Sequence, residues 1–407
     1  MPAVDEEVPR VSAPPEPLPE LGVAVIGHSF MGAVHSHAWR TVDHVGTPRF
    51  RTRRVALAGR DAGRAAAAAR QFGWEEGVDD WRPLLERDDI HVVDVLTPGD
   101  SHAEIAIAAL EAGKHVLCEK PLAKTVEEAE RMTAAAEAAA ARGVRSMVAF
   151  NYRQVPAIGL ARQLVADGRL GEVRQVRAVY LQDWIVDPEF PLTWRLQKDR
   201  SGAGALGDIG SHIIDAAQFI TGQRLLGVSG TVETFVKQRP LEAARTGANT
   251  GLSAEASTEV GDVTVDDAAV FFGRGDGGAL MTFEASRMAL GRKNGMRIEV
   301  NGSQGSIAFD FESMNELHFF DGTLPDAENG FRRILATDPA HPGVGNWWPP
   351  GHGLGYDHPF VHELQEFLGA VADGRDPSPS FADGLQVQQV LDAVQRSAEN
   401  SSAYTEI

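Results

Sequence analysis

LGVAVIGHSFMG, from Leu21 to Gly32, is an apolar run that ends in a glycine and opens at once onto a helical pattern. The reading of this turn decides the fold. Gly27 permits a tight strand-to-helix turn, and Gly32 lets the helix pack closely on the strand. Ser29 stands where the middle glycine of such a turn is usual; it is small enough for a ligand to approach, provided it stays out of positive φ. Phe30 and Met31 open the helix, whose first unpaired backbone N–H groups suit a pyrophosphate. Taken alone, the same turn also serves as a purely structural connection.

Outward from this turn, short apolar runs alternate with helical segments as far as about residue 150. RVALAG (54–59), HVVDVLTP (91–98), KHVLCEKP (114–121) and RSMVAFNYR (145–153) read as strands. DAGRAAAAARQFG, SHAEIAIAALEAG and TVEEAERMTAAAEAAAARG lie between them as helices. Continuous Val, Ile and Leu runs, rather than strict alternation, indicate strands buried on both faces, and hence a doubly wound parallel α/β sheet. After Arg153 the grammar changes. EVRQVRAVYLQDW, DDAAVFFG, GALMTFEAS, MRIEVNG and GSIAFDF are longer and partly alternating, with glycine and asparagine turns between them. We therefore expect an acidic, proline-rich flexible tail over 1–20, a dinucleotide-binding domain over 21–150, and an α+β domain over 151–407. The second domain's sheet is expected to be open, with helices on one face and Phe271, Met281 and Phe283 on the other, available to a second subunit.

The formal charge is -19, so phosphate backbones and anionic lipids are repelled; nucleic-acid and membrane partners are not expected. One cysteine, Cys118, precludes an intrachain disulfide and a multi-cysteine zinc site, which suits a reducing, cytoplasmic setting. The N-terminal residues carry no cationic start or apolar run of a secretory signal.

Two further motifs carry chemistry. Cys118-Glu119-Lys120-Pro121 closes a strand at the carboxyl edge, where open α/β sheets bind ligands. Gly204-Ala205-Leu206-Gly207-Asp208-Ile209-Gly210-Ser211-His212 begins a helix, on which Asp208 and His212 are four apart and share a face. Each has a plain alternative: a surface lysine before a turn proline, and a helix-start acid with a packed histidine.

Together the three motifs resemble the Gfo/Idh/MocA family, the glucose-fructose oxidoreductase and inositol dehydrogenase relatives. The resemblance runs from Leu21 to the C-terminus. Through YLQDW (180–184), ALGDIGSHIIDAAQFI (205–220) and SPSFADG (378–384) it is nearest to the levoglucosan dehydrogenase type of sugar dehydrogenase. It implies a Rossmann domain followed by an α+β domain with an open, mostly antiparallel sheet, through which homodimers or homotetramers form. It also implies an NAD(P)-dependent enzyme that moves a hydride to or from a hydroxyl-bearing carbon of a sugar, anhydrosugar or cyclitol. Lys120, Asp208 and His212 become the catalytic set. Histidine titrates near neutrality and suits removal of a hydroxyl proton, whereas a fixed lysine charge suits the developing alkoxide. The cofactor cleft takes in Gly27, Ser29, Phe30, Met31, Gly32, Gly59, Arg60, Thr97, Pro98, His102, Glu119 and Lys120. The substrate side takes in Tyr152, Arg153, Gln182, Asp183 and Trp184, with Trp194, Lys198, Trp347 and Trp348 as weaker candidates. Trp184 equally suits a hydrophobic core.

Three departures from the family pattern stand out: Ser29, Gly99 after Thr97-Pro98, and Gly59 where NAD users carry an acid. The last, with Arg60 beside it, leans towards NADP. No metal is expected: His352, His358 and His362 read as loop and helix-start histidines, and His35, His37, His102 and His115 as packing or surface residues. Two other readings stay open: a bond-cleaving enzyme whose tightly held cofactor oxidises a glycoside only transiently, and a catalytically silent sugar- or dinucleotide-binding protein.

Overall fold

The computed structural model describes residues 18–242 and 256–407. The expected N-terminal tail lies, up to residue 17, outside the described residues, and the first strand already begins at Glu20.

The first unit runs β1 (Glu20–Ile26), α1 (Phe30–Thr41), β2 (Arg51–Ala58), α2 (Ala62–Phe72), β3 (Glu76–Val78), β4 (Val92–Val95), α3 (His102–Glu111), β5 (His115–Cys118), α4 (Val126–Ala140) and β6 (Ser146–Val148). Its sheet has the order β3-β2-β1-β4-β5-β6, and every pairing is parallel. Reversal of strand order between β1 and β4 opens a crevice at their carboxyl ends, the place where such sheets bind ligands. The helices begin where their caps say they should. Asp61 accepts a hydrogen bond from the Arg64 N–H at 2.8 Å to start α2, and Thr125 caps α4 in the same way.

The second unit begins with α5 (Pro156–Ala166) and β7 (Val173–Leu181), followed by the short α6 (Lys198–Ser201) and α7 (Ser211–Thr221). Then come β8 (Leu225–Glu233), β9 (Gln238–Glu242), β10 (Ala256–Asp262), β11 (Ala268–Gly275), β12 (Leu280–Ser286), β13 (Gly295–Gly302), β14 (Gly305–Asp310), β15 (Glu316–Asp321) and β16 (Arg332–Leu335). The chain ends with α8 (His358–Asp373), α9 (Phe381–Glu399) and β17 (Thr405–Glu406). Nine strands form one sheet in the order β16-β15-β14-β13-β7-β12-β11-β8-β17, antiparallel except where β7 meets β12. Strands β9 and β10 make a separate antiparallel ribbon.

One face of the large sheet packs on helices, but its side chains are not those expected. Phe271, Met281 and Phe283 are buried, with the two phenyl rings stacked 4.7 Å apart. Val270, Phe272 and Leu280 occupy the open face, with Val270 52% and Phe272 51% exposed. The period of a strand is two, so an error of one residue exchanges the faces. The Val270-Phe271-Phe272 run gives no parity by itself; β12 does, because Met281, Phe283 and Ala285 alternate with Thr282 and Glu284.

Helix α8 does not stay with the second unit. Phe360, Leu364 and Phe367 pack in one cluster with Trp39 of α1 and Leu57 of β2, so a late segment of the chain covers the first sheet. Helix α9 packs on β8 and α4.

Candidate active site

A cleft of about 1160 Å³ runs between the two units. Its floor is the carboxyl edge of β1, β4 and β5, and its far wall is built from the end of β7 and the segment leading into α7.

The dinucleotide side follows from the glycine turn. Gly27 has φ +119, and a Cβ there would lie 2.6 Å from the Leu96 carbonyl oxygen. A Cβ on Gly32 would come within 2.5 Å of the Gly27 carbonyl oxygen. Ser29 has φ -78, an ordinary conformation for a residue with a side chain, so its replacement of glycine carries no backbone strain. Gly27, Ser29, Phe30, Met31, Gly59, Arg60, Thr97, Pro98, His102, Glu119 and Lys120 all line the cleft, whereas Gly32 supports the turn from below. A backbone cradle at the N-terminus of α1, closed to any larger residue at Gly27, fits a dinucleotide diphosphate. His102 links two of these segments, with one ring nitrogen 2.8 Å from the Thr97 carbonyl oxygen and the other 3.1 Å from that of Pro121. Gly59 lies against His28: a Cβ there would come within 2.2 Å of its ring, so a larger residue at this strand end would require the His28 side chain to shift.

Across the cleft, Leu206–Gly210 form a single π turn that runs into α7. Asp208 therefore sits in the π turn and His212 in the first turn of the α-helix, rather than on one regular helix. Such turns often mark functional sites. Buried Asp266 holds the entry to this segment, accepting the N–H groups of Gly204 and Leu206, each at 2.7 Å. The Lys120 ammonium donates to the Asp208 carbonyl oxygen at 2.8 Å and lies 3.6 Å from its carboxylate. Arg287, fully buried, approaches that carboxylate at 3.5 Å. Burial works against the Asp208 charge, but Lys120, Arg195 and Arg287 hold the carboxyl down at about 2. Burial and the nearby Lys120 push the His212 imidazole well below its ordinary range, opposed only by Asp208. His212 is therefore a neutral base at physiological pH, stacked on Tyr152 with centroids 4.3 Å apart.

Tyr152, Gln182 and Trp184 face the cleft and belong to one hydrogen-bonded chain. The Tyr152 and Tyr180 hydroxyls are 2.8 Å apart, and Tyr180 and Gln182 both donate to the Asn294 side-chain oxygen, at 2.7 and 2.9 Å. Trp184 donates to Gln182 at 3.0 Å, and its ring also meets Phe190 edge-on. Arg153 does not line the cleft. It is buried against Asp215, with its Nε 2.9 Å from a carboxylate oxygen, and its far end reaches Ser378 at 3.2 Å. The family resemblance implied a substrate-side place for Arg153, but Asp215, one α-helical turn beyond Ser211, takes its charge inward. Asp183, expected beside Gln182 and Trp184, turns away to pair with Lys293 at 2.8 Å, and among the weaker candidates only Trp194 lines the cleft.

Asn294, Arg195, Arg287 and Tyr356 complete the lining or its support and were not picked out from the sequence. Arg287 directly follows β12 and Asn294 directly precedes β13, both at unremarkable positions, and Tyr356 arrives from a loop before α8. The histidines near it have structural partners: His362 accepts from the Trp347 indole at 2.6 Å and meets the Gln154 carbonyl oxygen at 3.0 Å. Among the described residues no group of three or more His, Cys, Asp or Glu is arranged to hold a metal ion.

Comparison with known proteins agrees with this geometry across nearly the whole chain. The family described as "Oxidoreductase family, NAD-binding Rossmann fold" matches residues 21–150, and "GFO/IDH/MocA C-terminal domain" matches residues 158–308. Levoglucosan dehydrogenase of Pseudarthrobacter phenanthrenivorans is 42% identical over 94% of this chain and 97% of its own length. Inositol 2-dehydrogenase of Rhizobium meliloti is 28% identical over 85% of this chain and 89% of its own. Among solved structures, an oxidoreductase domain protein from Kribbella flavida superimposes with a TM-score of 0.90 at 60% identity, covering 96% of this chain and 100% of its own. Levoglucosan dehydrogenase in complex with NADH and levoglucosan superimposes with a TM-score of 0.88 at 40% identity, covering 95% and 99%. The crevice at the β1/β4 reversal, the Glu-Lys-Pro turn and the π turn before α7 thus stand in a chain that belongs to the Gfo/Idh/MocA family of oxidoreductases.

Proposed function

We propose that this enzyme oxidises, reversibly, a secondary hydroxyl of a pyranose, anhydrosugar or cyclitol, with Lys120, Asp208 and His212 as its catalytic set. The observation that carries the reading is the convergence of a lysine ammonium, a carboxylate and a neutral imidazole at the point where the dinucleotide cradle meets the tyrosine-lined wall. Bound at Gly27–Gly32, the dinucleotide supplies the hydride acceptor. His212, kept uncharged by burial and by Lys120, accepts the hydroxyl proton. Lys120 holds its positive charge against the oxygen as that proton leaves, which is electrostatic stabilisation from a fixed donor. Asp208 anchors the lysine through its carbonyl and its carboxylate. Tyr152 and Trp184 offer aromatic faces beside Gln182 and Asn294, a surface suited to a ring bearing hydroxyls.

The cofactor side favours acceptance of NADP as well as NAD. No carboxylate stands at position 59 to repel a 2′-phosphate, and Arg60 follows at the cleft. The exposed Val270, Phe272 and Leu280 suit a homodimer or homotetramer closed through the second sheet. A single buried cysteine suits the cytoplasm.

Dinucleotide reduction measured by absorbance, with anhydrosugars, aldoses and inositols offered in turn and both cofactors compared, tests this reading. Turnover of at least one such polyol supports it; none across the panel, with dinucleotide binding intact, overturns it.

A further inference from the structure

Behind the Glu119-Lys120 turn lies a second cluster of ionisable groups that the mechanism above does not use. His35 of α1 is 1% exposed. Its Nδ1 lies 2.9 Å from an Asp94 carboxylate oxygen, which also accepts the Trp39 indole N–H at 2.8 Å. Its Nε2 faces one Glu119 oxygen at 3.4 Å, and the other Glu119 oxygen accepts the Lys120 backbone N–H at 2.9 Å. Glu363 of α8 closes the cluster. It is fully buried, and neither of its carboxyl oxygens has a hydrogen-bond partner among the described residues. We propose that His35 is a positioning residue for the reaction: it fixes the Glu119 carboxylate, and through it the backbone from which Lys120 reaches the cleft.

The charges decide how this works. Three buried carboxyl groups meet one imidazole, and one cation cannot compensate three anions out of water. Burial raises the Glu363 carboxyl well above its usual range, with Glu119 and Asp94 adding to the effect against His35, so Glu363 keeps its proton. Burial also opposes charge on His35, but Asp94 and Glu119 outweigh it and raise the imidazole well above its ordinary value. Burial would raise Glu119 too, yet His35 and Lys120 pull it below the usual carboxylate range. The ionised pair His35–Glu119 is thus self-consistent, and it runs from the first helix to the catalytic turn. The titratable and charged groups facing it are Asp94 from β4, Cys118 from β5 and Glu363 from α8, with Lys120, Arg195 and Tyr356 beyond Glu119.

This inference rests on the dehydrogenase reading, and its test separates the two. In His35→Gln, Glu119 loses the imidazolium and keeps only the weaker pull of Lys120 against its burial, so it takes up a proton at a higher pH than in the wild type. Turnover should then drop by about tenfold or more near neutral pH, the scale of a displaced catalytic group, and recover as pH rises, while KM for the sugar stays nearly unchanged. Glu119→Gln should lose a similar factor at every pH, and combining the two changes should cost no more than the larger alone. Independently of turnover, 15N-histidine NMR of the dinucleotide-free chain should find His35 protonated above neutral pH, and titrating lower in Glu119→Gln. A purely structural role for His35 lowers the melting temperature but leaves the pH profile in place. An unmoved profile in His35→Gln, a fully active Glu119→Gln, or a neutral His35 at pH 7 in the wild type overturns the inference. A wild type that oxidises no polyol defeats the dehydrogenase reading instead, and the NMR titration then still decides the state of His35.

Discussion

The Lys120 ammonium donates to the Asp208 backbone carbonyl at 2.8 Å while lying 3.6 Å from the same residue's carboxylate, so one residue across the cleft holds the lysine by two different groups. The carbonyl contact survives any change of side chain at 208. Asp208→Asn should therefore keep Lys120 in place and weaken activity through lost charge, whereas Lys120→Ala should remove the positive centre entirely. We expect a fall of about a hundredfold to a thousandfold in turnover for Lys120→Ala, the scale of losing a fixed oxyanion donor, and a smaller one for Asp208→Asn. Steady-state kinetics on both variants check the order.

The pH profile follows from His212. Its imidazole is depressed by burial and by Lys120, so the neutral base persists below the ordinary histidine range. The acid limb of kcat/KM should fall below pH 6.5, and activity should decline only as pH drops through that depressed value. An acid limb at or above the ordinary histidine pKa, unaffected by His212→Ala, would contradict the assignment.

Cofactor choice is tested at Arg60. Removing a guanidinium from a phosphate costs about 1.5–3 kcal/mol, so Arg60→Ala should lower kcat/KM for NADP by about tenfold or more and leave NAD nearly unchanged. An equal effect on both cofactors would take Arg60 away from the 2′-phosphate.

Arg153 and Asp215 make a stability prediction rather than a catalytic one. Both are buried, and losing one partner strands the other charge; Arg153→Met should cost about 3–5 kcal/mol by denaturant titration. Turnover per folded molecule should stay close to the wild type.

On the open sheet face, Phe272→Glu places a charge in the exposed apolar patch with Val270 and Leu280. Light scattering should show a smaller assembly than the wild type, and an unchanged mass would remove this face from the subunit contact.

What the sequence made legible was what local physics determines. The Gly27–Gly32 turn, the continuous apolar strands and the caps at Asp61 and Thr125 each state their structure within a few residues. The Glu119-Lys120 and Asp208/His212 motifs lie at the cleft because strand ends and helix starts carry them there. Other features depend on partners far along the chain. Nothing near Arg153 announces Asp215; nothing in VFF at 270–272 chooses its buried face; Arg287 and Asn294 acquire a role only once β7 pairs with β12 and β13. The docking of α8 against Trp39 is likewise a tertiary event.

The most direct test of the central claim is one assay: dinucleotide reduction with the best polyol of the panel, in wild type, Lys120→Ala and His212→Ala, with dinucleotide affinity measured alongside. The account predicts turnover in the wild type and a loss of about a hundredfold or more in each variant, at nearly unchanged dinucleotide affinity. Near-normal turnover in either variant across the pH range would contradict it.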